Sequence, residues 1–257
     1  MIIMFLGDTH GSRGFTCDAI DIAVKLGVDR LIQVGDFGFW PAIESGQKFL
    51  KTVGVHANKA HLPFYWIAGN HEDHDRLDAE TKGPDPTIEP FHHGKRLTHI
   101  RSGARWIWDG VTFGAIGGAF SIDRKYRTKH SYAYGWFPQE VPDPELIHGL
   151  GKVDVLVTHE APTVPAPLAA TGNFRSIPES TDSQLVIYHA LQTTRPDYLV
   201  HGHWHCNYRN RIDQTDIWGL DCDLTVPKAS CIYDTEHRQM YSLTQWSMIY
   251  GEETKDD

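Results

Sequence analysis

Three histidines alternate in the stretch "YLVHGHWHCNYR": His201, His203 and His205. Alternate side chains of an extended segment face the same way, so this strand end would present imidazoles together. Nitrogen donors at that spacing suit a metal ion. A His-rich surface loop is the competing reading in a chain with 16 histidines, and the other strand ends decide between them. Four further apolar runs end in donor-type residues: "GDTHG" with Asp8 and His10, "GDFG" with Asp36, "GNHED" with Asn70, His71 and Glu72, and "VTHEAP" with His159. In α/β sheets functional groups gather beyond the carboxyl ends of strands. Gly7, Gly35, Gly69 and Gly202 would let the chain turn sharply there.

The donors that would meet are imidazole, carboxylate and one amide, with no thiolate. Such a set suits manganese, iron, zinc or cobalt in a catalytic role rather than a Cys-rich structural zinc. It is too large for one catalytic ion with open positions. It suits two ions about 3.5–4 Å apart that share a bridging carboxylate. Cys17, Cys206, Cys222 and Cys231 form no C-x-x-C pair and read as free thiols. His201 is expected to be a buried, hydrogen-bonded histidine, and Glu72 and Asp73 to act as local caps or as supports for ligands.

Apolar runs separated by helical patterns must position these loops. Ile2–Leu6, Arg30–Val34, Pro63–Ala68, Asp154–Val157 and Asp197–Val200 read as strands. Ala104–Trp108 and Val111–Ile116 flank "DG", a hairpin signal. Helices are expected over Cys17–Leu26 with Thr16 as cap, over Pro41–Ala57, over Gln139–Leu150 and over Asp182–Thr193. Glu72–Pro90 reads as a helical turn plus loop. The long Pro-containing stretch Glu160–Thr181 reads as a lid or binding loop. After residue 206 the pattern is of short strands, with His92 and His93 on a loop surface and 251–257 a frayed tail.

Bulk composition narrows the function classes. A formal net charge of −9 argues against generic nucleic-acid or anionic-membrane binding, which needs basic surface. It leaves small phosphate substrates open, because bound cations would neutralise acidic ligands. No apolar run is long enough to span a bilayer. "MIIMFL" lacks the basic start and cleavage site of a signal peptide, which indicates a cytoplasmic protein.

The ordered series D-x-H, G-D, G-N-H-E, a lone His after a strand, and G-H-x-H resembles the calcineurin-like metallophosphoesterase family from position 8 to position 205. "GGAFSIDRKYR" followed by "GWFPQE" is similar to its compact bacterial and phage members. The resemblance implies an α/β fold, a two-sheet β-sandwich flanked by helices over residues 1–250, with a dinuclear site at the strand ends. It implies that Asp8, His10 and His205 bind one metal, that Asn70, His159 and His203 bind the other, and that Asp36 bridges. Two divalent ions, manganese first, would support attack of a bridging hydroxide on phosphorus, with His71 at the leaving oxygen. The implied substrates are small phosphodiesters, including 2′,3′- or 3′,5′-cyclic nucleotides. A phosphomonoesterase acting on protein or small molecules is the runner-up, and a metal-bound scaffold is a weaker third because no ligand is missing. One departure stands out: the phosphatase pattern G-D-x-x-D-R-G reads "GDFGFWP" here, with Phe39 at the second Asp. Other groups, or the metals alone, must then hold phosphate, and Arg13, Arg124 and Arg127 are the candidate side chains. The last two lie in a basic, aromatic-interleaved segment, Ser121–Trp136, suited to a nucleotide. Oligomeric assembly stays open.

Overall fold

The computed structural model describes residues 1–80, 89–90, 96–130, 135–170 and 178–250. His92 and His93, Tyr132 and Tyr134, the centre of the 160–181 loop and the 251–257 tail lie outside the described residues, as does the side chain of Lys129. In chain order the elements are β1 (Ile2–Leu6), α1 (Arg13–Lys25), β2 (Arg30–Gln33), α2 (Glu44–Lys59), β3 (Phe64–Ile67), α3 (His74–Glu80), β4 (Glu89–Pro90), β5 (Leu97–Ile100), β6 (Arg105–Trp108) and β7 (Val111–Ile116). They continue with α4 (Arg124–His130), β8 (Val155–Thr158), α5 (Ala166–Ala169), α6 (Pro178–Thr194), β9 (Tyr198–His201), β10 (Tyr208–Ile212), β11 (Thr215–Gly219), β12 (Ser230–Asp234), β13 (Gln239–Ser242) and α7 (Leu243–Tyr250).

The strands form two mixed sheets, ordered β13-β12-β1-β2-β3-β5-β4 and β10-β11-β9-β8-β7-β6. Within the first, β1, β2, β3 and β5 run parallel; within the second, β7, β8, β9 and β11 do. Period-2 alternation assigns each strand's two faces. Ile3 and Phe5 of β1 and Val155 and Val157 of β8 fill the layer between the sheets. Met4 and Leu6 face a second layer with Phe49, Leu50 and Val53 of α2, while Leu156 faces a third with Ile187 and Leu191 of α6. This is the two-sheet, helix-flanked α/β sandwich that the motif order implies.

Two local expectations are corrected. Thr16 does not cap α1: the helix begins at Arg13 after Ser12, and the Thr16 hydroxyl donates to the Ser12 carbonyl at 2.7 Å. Gln139–Leu150 is not one helix. It breaks into two short 3₁₀ turns, Pro138–Glu140 and Pro144–Ile147, because Pro142 and Pro144 lack the N–H that a continuous helix needs. The "DG" hairpin holds, with Asp109 and Gly110 at φ 50° and 74° between paired Trp108 and Val111.

Candidate metal centre

The parallel strands β1, β2, β3, β8 and β9 release their chains towards one edge of the sandwich, and all seven sequence-expected ligands meet there. His205 Nε2 lies 3.1 Å from Asp8 Oδ2, and His10 Nε2 lies 3.9 Å from Asp8 and 3.6 Å from Asp36. His159 Nε2 stands 3.3 Å from Asp36 Oδ1 and 3.0 Å from Asn70 Oδ1. Asp36 therefore sits between the two clusters, as a bridging group would. The His203 main-chain N–H donates to Asp8 at 3.0 Å, and its ring centroid is 5.1 Å from that of His159. Potential ligand atoms of Asp8, His10 and His205, and of Asp8, Asp36 and His159, lie within 4.8 Å of one another.

The backbone is held in uncommon conformations to achieve this. His10, Asp36, His203 and His205 have φ of 44°, 52°, 65° and 46°, each costing of order 1–3 kcal/mol that surrounding packing must offset. Of the four strand-end glycines read as turn formers, only Gly35 is left-handed, at φ 106°, and a Cβ there would strike the His159 ring. Gly202 has ordinary backbone; its requirement is space, because a Cβ would collide with the Asp8 carboxylate. At Gly7 and Gly69 too the need is for space: a Cβ would strike the Asp221 carbonyl and Asp36 respectively.

Electrostatics test whether cations fit. Asp8 and Asp36 are buried carboxylates whose ion-pair partners among the described residues are imidazoles. Burial alone would lower the pKa of His10, but Asp36 and Asp8 raise it to about 9; burial opposes Asp36 and Asp8 likewise at His159, which rises to about 10. Burial opposes the ionised form of Asp36, yet His159 and His10 hold it well below its ordinary value. The cluster thus draws positive charge to itself, and its N and O donors fit divalent first-row metals. Two of the imidazoles have acceptors at their second nitrogen: His159 Nδ1 lies 2.9 Å from the Val34 carbonyl, and His10 Nδ1 lies 3.3 Å from Asp223.

The family model for calcineurin-like phosphoesterases matches residues 1–207. The chain belongs to that family. Its fold is shared with TT1561 of Thermus thermophilus, at 13% identity and TM-score 0.56, covering 94% of this chain and 97% of that one. A dimetal phosphatase from Danio rerio is similar at 13% identity and TM-score 0.54, covering 90% and 91%. GAP50, the anchor in the inner membrane complex of Plasmodium, is similar at 8% identity and TM-score 0.50, covering 91% and 80%. No curated protein sequence matches the chain. One fold thus serves a phosphatase and an anchor, so the site and not the fold must carry the argument.

As a phosphoesterase, the protein has a cleft of about 450 Å³ over the donors, lined by His10, Asp36, Asn70, His71, His203 and His205 and walled by Trp204, Ile122, Asp123 and Ser180. His71 faces this cleft, and burial lowers its pKa. The second Asp of the phosphatase pattern is absent from the motif. Phe39 at that position is fully buried against Trp66, with ring centroids 5.7 Å apart. Instead the His71 main chain is clamped: its N–H donates to Asp36 Oδ1 at 2.8 Å and its carbonyl accepts from Trp40 Nε1 at 2.5 Å. Phe37 is core, stacked on Trp66 at 4.7 Å. Glu72 is a buried support, accepting the Gly69 and Gly38 N–H groups at 2.7 and 3.2 Å. Burial, reinforced by Asp36, pushes its pKa up to about 8. His201 is buried and bonded to the Tyr208 hydroxyl at 2.8 Å.

The expected phosphate-binding arginines are not brought to the cleft lining. Arg13 is exposed on the first turn of α1. Arg124 lies over the Trp136 ring at 3.8 Å, so a protein aromatic already covers its guanidinium. Arg127 is buried and bidentate to Glu140, with both bonds 2.6 Å. Sequence reasoning missed Asp223 and Glu140. Asp223 lies 213 residues from the His10 it supports, and only the "GWFPQE" motif hinted at Glu140.

Proposed function

We propose that this protein is a two-metal phosphodiesterase for small substrates, nucleotides among them. Asp8, His10 and His205 would hold one cation, Asn70, His159 and His203 the other, and Asp36 would reach both, with manganese suited to the donor set. Bound ions of this kind acidify a water to a nucleophile and neutralise charge on phosphoryl oxygens. His71, clamped through its main chain, would hydrogen-bond the leaving oxygen.

The wall of the cleft carries the diester reading. Trp204 and Ile122 stand beside the donors, and Asp123 adds a carboxylate. A diester brings one negative charge and a second organic substituent, which an apolar wall accommodates. A monoester brings a dianion and no second substituent for that wall to hold. Trp204 is fixed in this wall by its Nε1–H, which donates to the buried Glu160 at 2.7 Å. The net charge of −9 favours small substrates over long nucleic acids. Four free cysteines fit a reducing cytoplasm, and among the described residues no helix is long and apolar enough to cross a membrane.

The test is a substrate panel on Mn²⁺-reconstituted protein: bis-p-nitrophenyl phosphate, p-nitrophenyl phosphate, and 2′,3′- and 3′,5′-cyclic AMP, each with an Asn70→Ala control. Diester turnover that exceeds monoester turnover and is lost in the control supports the reading. Faster monoester hydrolysis would replace it with a phosphomonoesterase. No turnover with Mn²⁺, Fe²⁺, Co²⁺ or Zn²⁺, in protein shown to hold two metals, would sink it.

A further inference from the structure

Behind Asn70 the buried polar groups form one connected chain. Asn70 Nδ2 donates to Ser121 Oγ at 2.9 Å, and Ser121 Oγ donates to Glu140 Oε2 at 2.5 Å. Arg127 grips both Glu140 oxygens, and its guanidinium also donates to Asp123 at 3.0 Å, to the Gly135 carbonyl at 3.3 Å and to the Asn70 carbonyl at 3.4 Å. The Phe137 N–H completes the Glu140 shell at 3.1 Å. Asn70, Ser121, Arg127 and Glu140 are all buried. A buried ion pair of this kind is weak evidence for stability, since apolar residues of similar volume often do as well. Its geometry supplies another reason for it.

A serine hydroxyl has one hydrogen. Glu140 takes the Ser121 hydrogen, so Ser121 meets Asn70 as an acceptor only. The Asn70 amide must then turn its NH₂ to Ser121 and its oxygen away, towards His159 Nε2 and the other donors. A flipped amide would set oxygen against the Ser121 lone pairs and offer the cation site an NH₂, which has no lone pair to give. We propose that Ser121, set by Glu140 and Arg127, is a positioning residue that fixes the Asn70 amide with its oxygen facing the second cation. This rests on the two-metal reading above. It gives the "GGAFSIDRKYR" and "GWFPQE" segments a shared role, in which the first supplies Ser121 and Arg127 and the second Glu140.

The test is calorimetric titration of Mn²⁺ into metal-free protein, comparing wild type with Ser121→Ala, Ser121→Thr, Asn70→Asp and the double variant Asn70→Asp/Ser121→Ala. Wild type should take two Mn²⁺. Ser121→Ala should hold one ion at wild-type affinity and bind the other about 10–100-fold more weakly, while Ser121→Thr, which keeps the hydroxyl, should match wild type. Aspartate offers two equivalent oxygens and needs no orienting, so adding Ser121→Ala to Asn70→Asp should not weaken either ion further by more than about twofold. Wild-type affinities in Ser121→Ala would overturn the proposal, as would equal losses in both backgrounds, which would mark a merely structural role. Wild-type protein that binds fewer than two Mn²⁺ would sink the two-metal reading, and the relay with it. Thermal melts of the metal-free proteins check folding. If Ser121→Ala does not fold, Ser121→Cys, similar in volume but a poor acceptor, carries the same comparison.

Discussion

The two halves of the candidate centre are built differently. In the half formed by Asp8, His10 and His205, the His10 and His205 side chains are 27% and 45% exposed. Asp8 between them is fully buried; in the half formed by Asn70, His159 and His203, the three are 1%, 0% and 16% exposed and Asp36 beside them is 2%. The open half is held by one carboxylate, Asp223, at the rear of His10. The closed half is held by a main-chain carbonyl behind His159 and by the Ser121 chain behind Asn70. The closed half is thus packed against its scaffold, and the open half faces solvent.

Asp36, which belongs to both halves, should be the most sensitive position. Asp36→Asn should lose metal from both and lower kcat/KM for a diester by about 10³-fold or more, several kcal/mol of transition-state stabilisation. Turnover close to wild type would remove its bridging role.

Deleting one histidine from each half should separate fold from function. Metal-free His159→Ala leaves Asp36 buried without its closest imidazole and should lose about 3–5 kcal/mol in denaturant melts. Metal-free His205→Ala should stay within about 1 kcal/mol of wild type, because His205 is itself half-exposed and the buried Asp8 keeps His10 and the His203 N–H as partners. Equal stability losses would break the contrast between the halves.

A finer probe is Asp223→Asn. It should weaken one Mn²⁺ about tenfold and spare the other, as read by calorimetry. Loss of both ions would mean that the halves are not independent.

The effect that vanishes at neutral pH is a control away from the donors. Burial, with His74 and Arg101 nearby, depresses His99 to about 3. The unfolded chain takes up this proton near pH 6.5 while the folded chain does not, so His99 lowers stability as pH falls from about 6.5 towards 3, by up to about 1.4 kcal/mol per pH unit. His99→Leu should flatten that limb in melts of metal-free protein and leave Mn²⁺ binding unchanged. An unaltered acid limb would show that His99 is not buried neutral.

Much of the scaffold was legible because apolar runs and turn residues are local signals. The runs at Ile2–Leu6 and Val111–Ile116 are strands with those bounds, and the others shift by a residue or so at their ends. Strand β5 escaped notice because "LTHI" is four residues long and carries a histidine that looks polar. The expected helix over Gln139–Leu150 failed where its own prolines should have warned against it. Arg124 and Arg127 looked like phosphate ligands because guanidinium is the same group in either role, and only its neighbours decide.

The amino-acid sequence by itself determined which side chains end the strands, their N and O chemistry, and that five such ends share one order along the chain. Those facts depend on residue type and on periodicities of a few residues. The tertiary structure decided which ends meet, that Asp36 stands between two clusters of unequal exposure, and that Arg127 binds Glu140 rather than facing the cleft. Such outcomes are contacts between distant segments: His10 with Asp223, Asn70 with Ser121, His159 with the Val34 carbonyl. They are set by how two sheets twist and pack together, which no local pattern encodes.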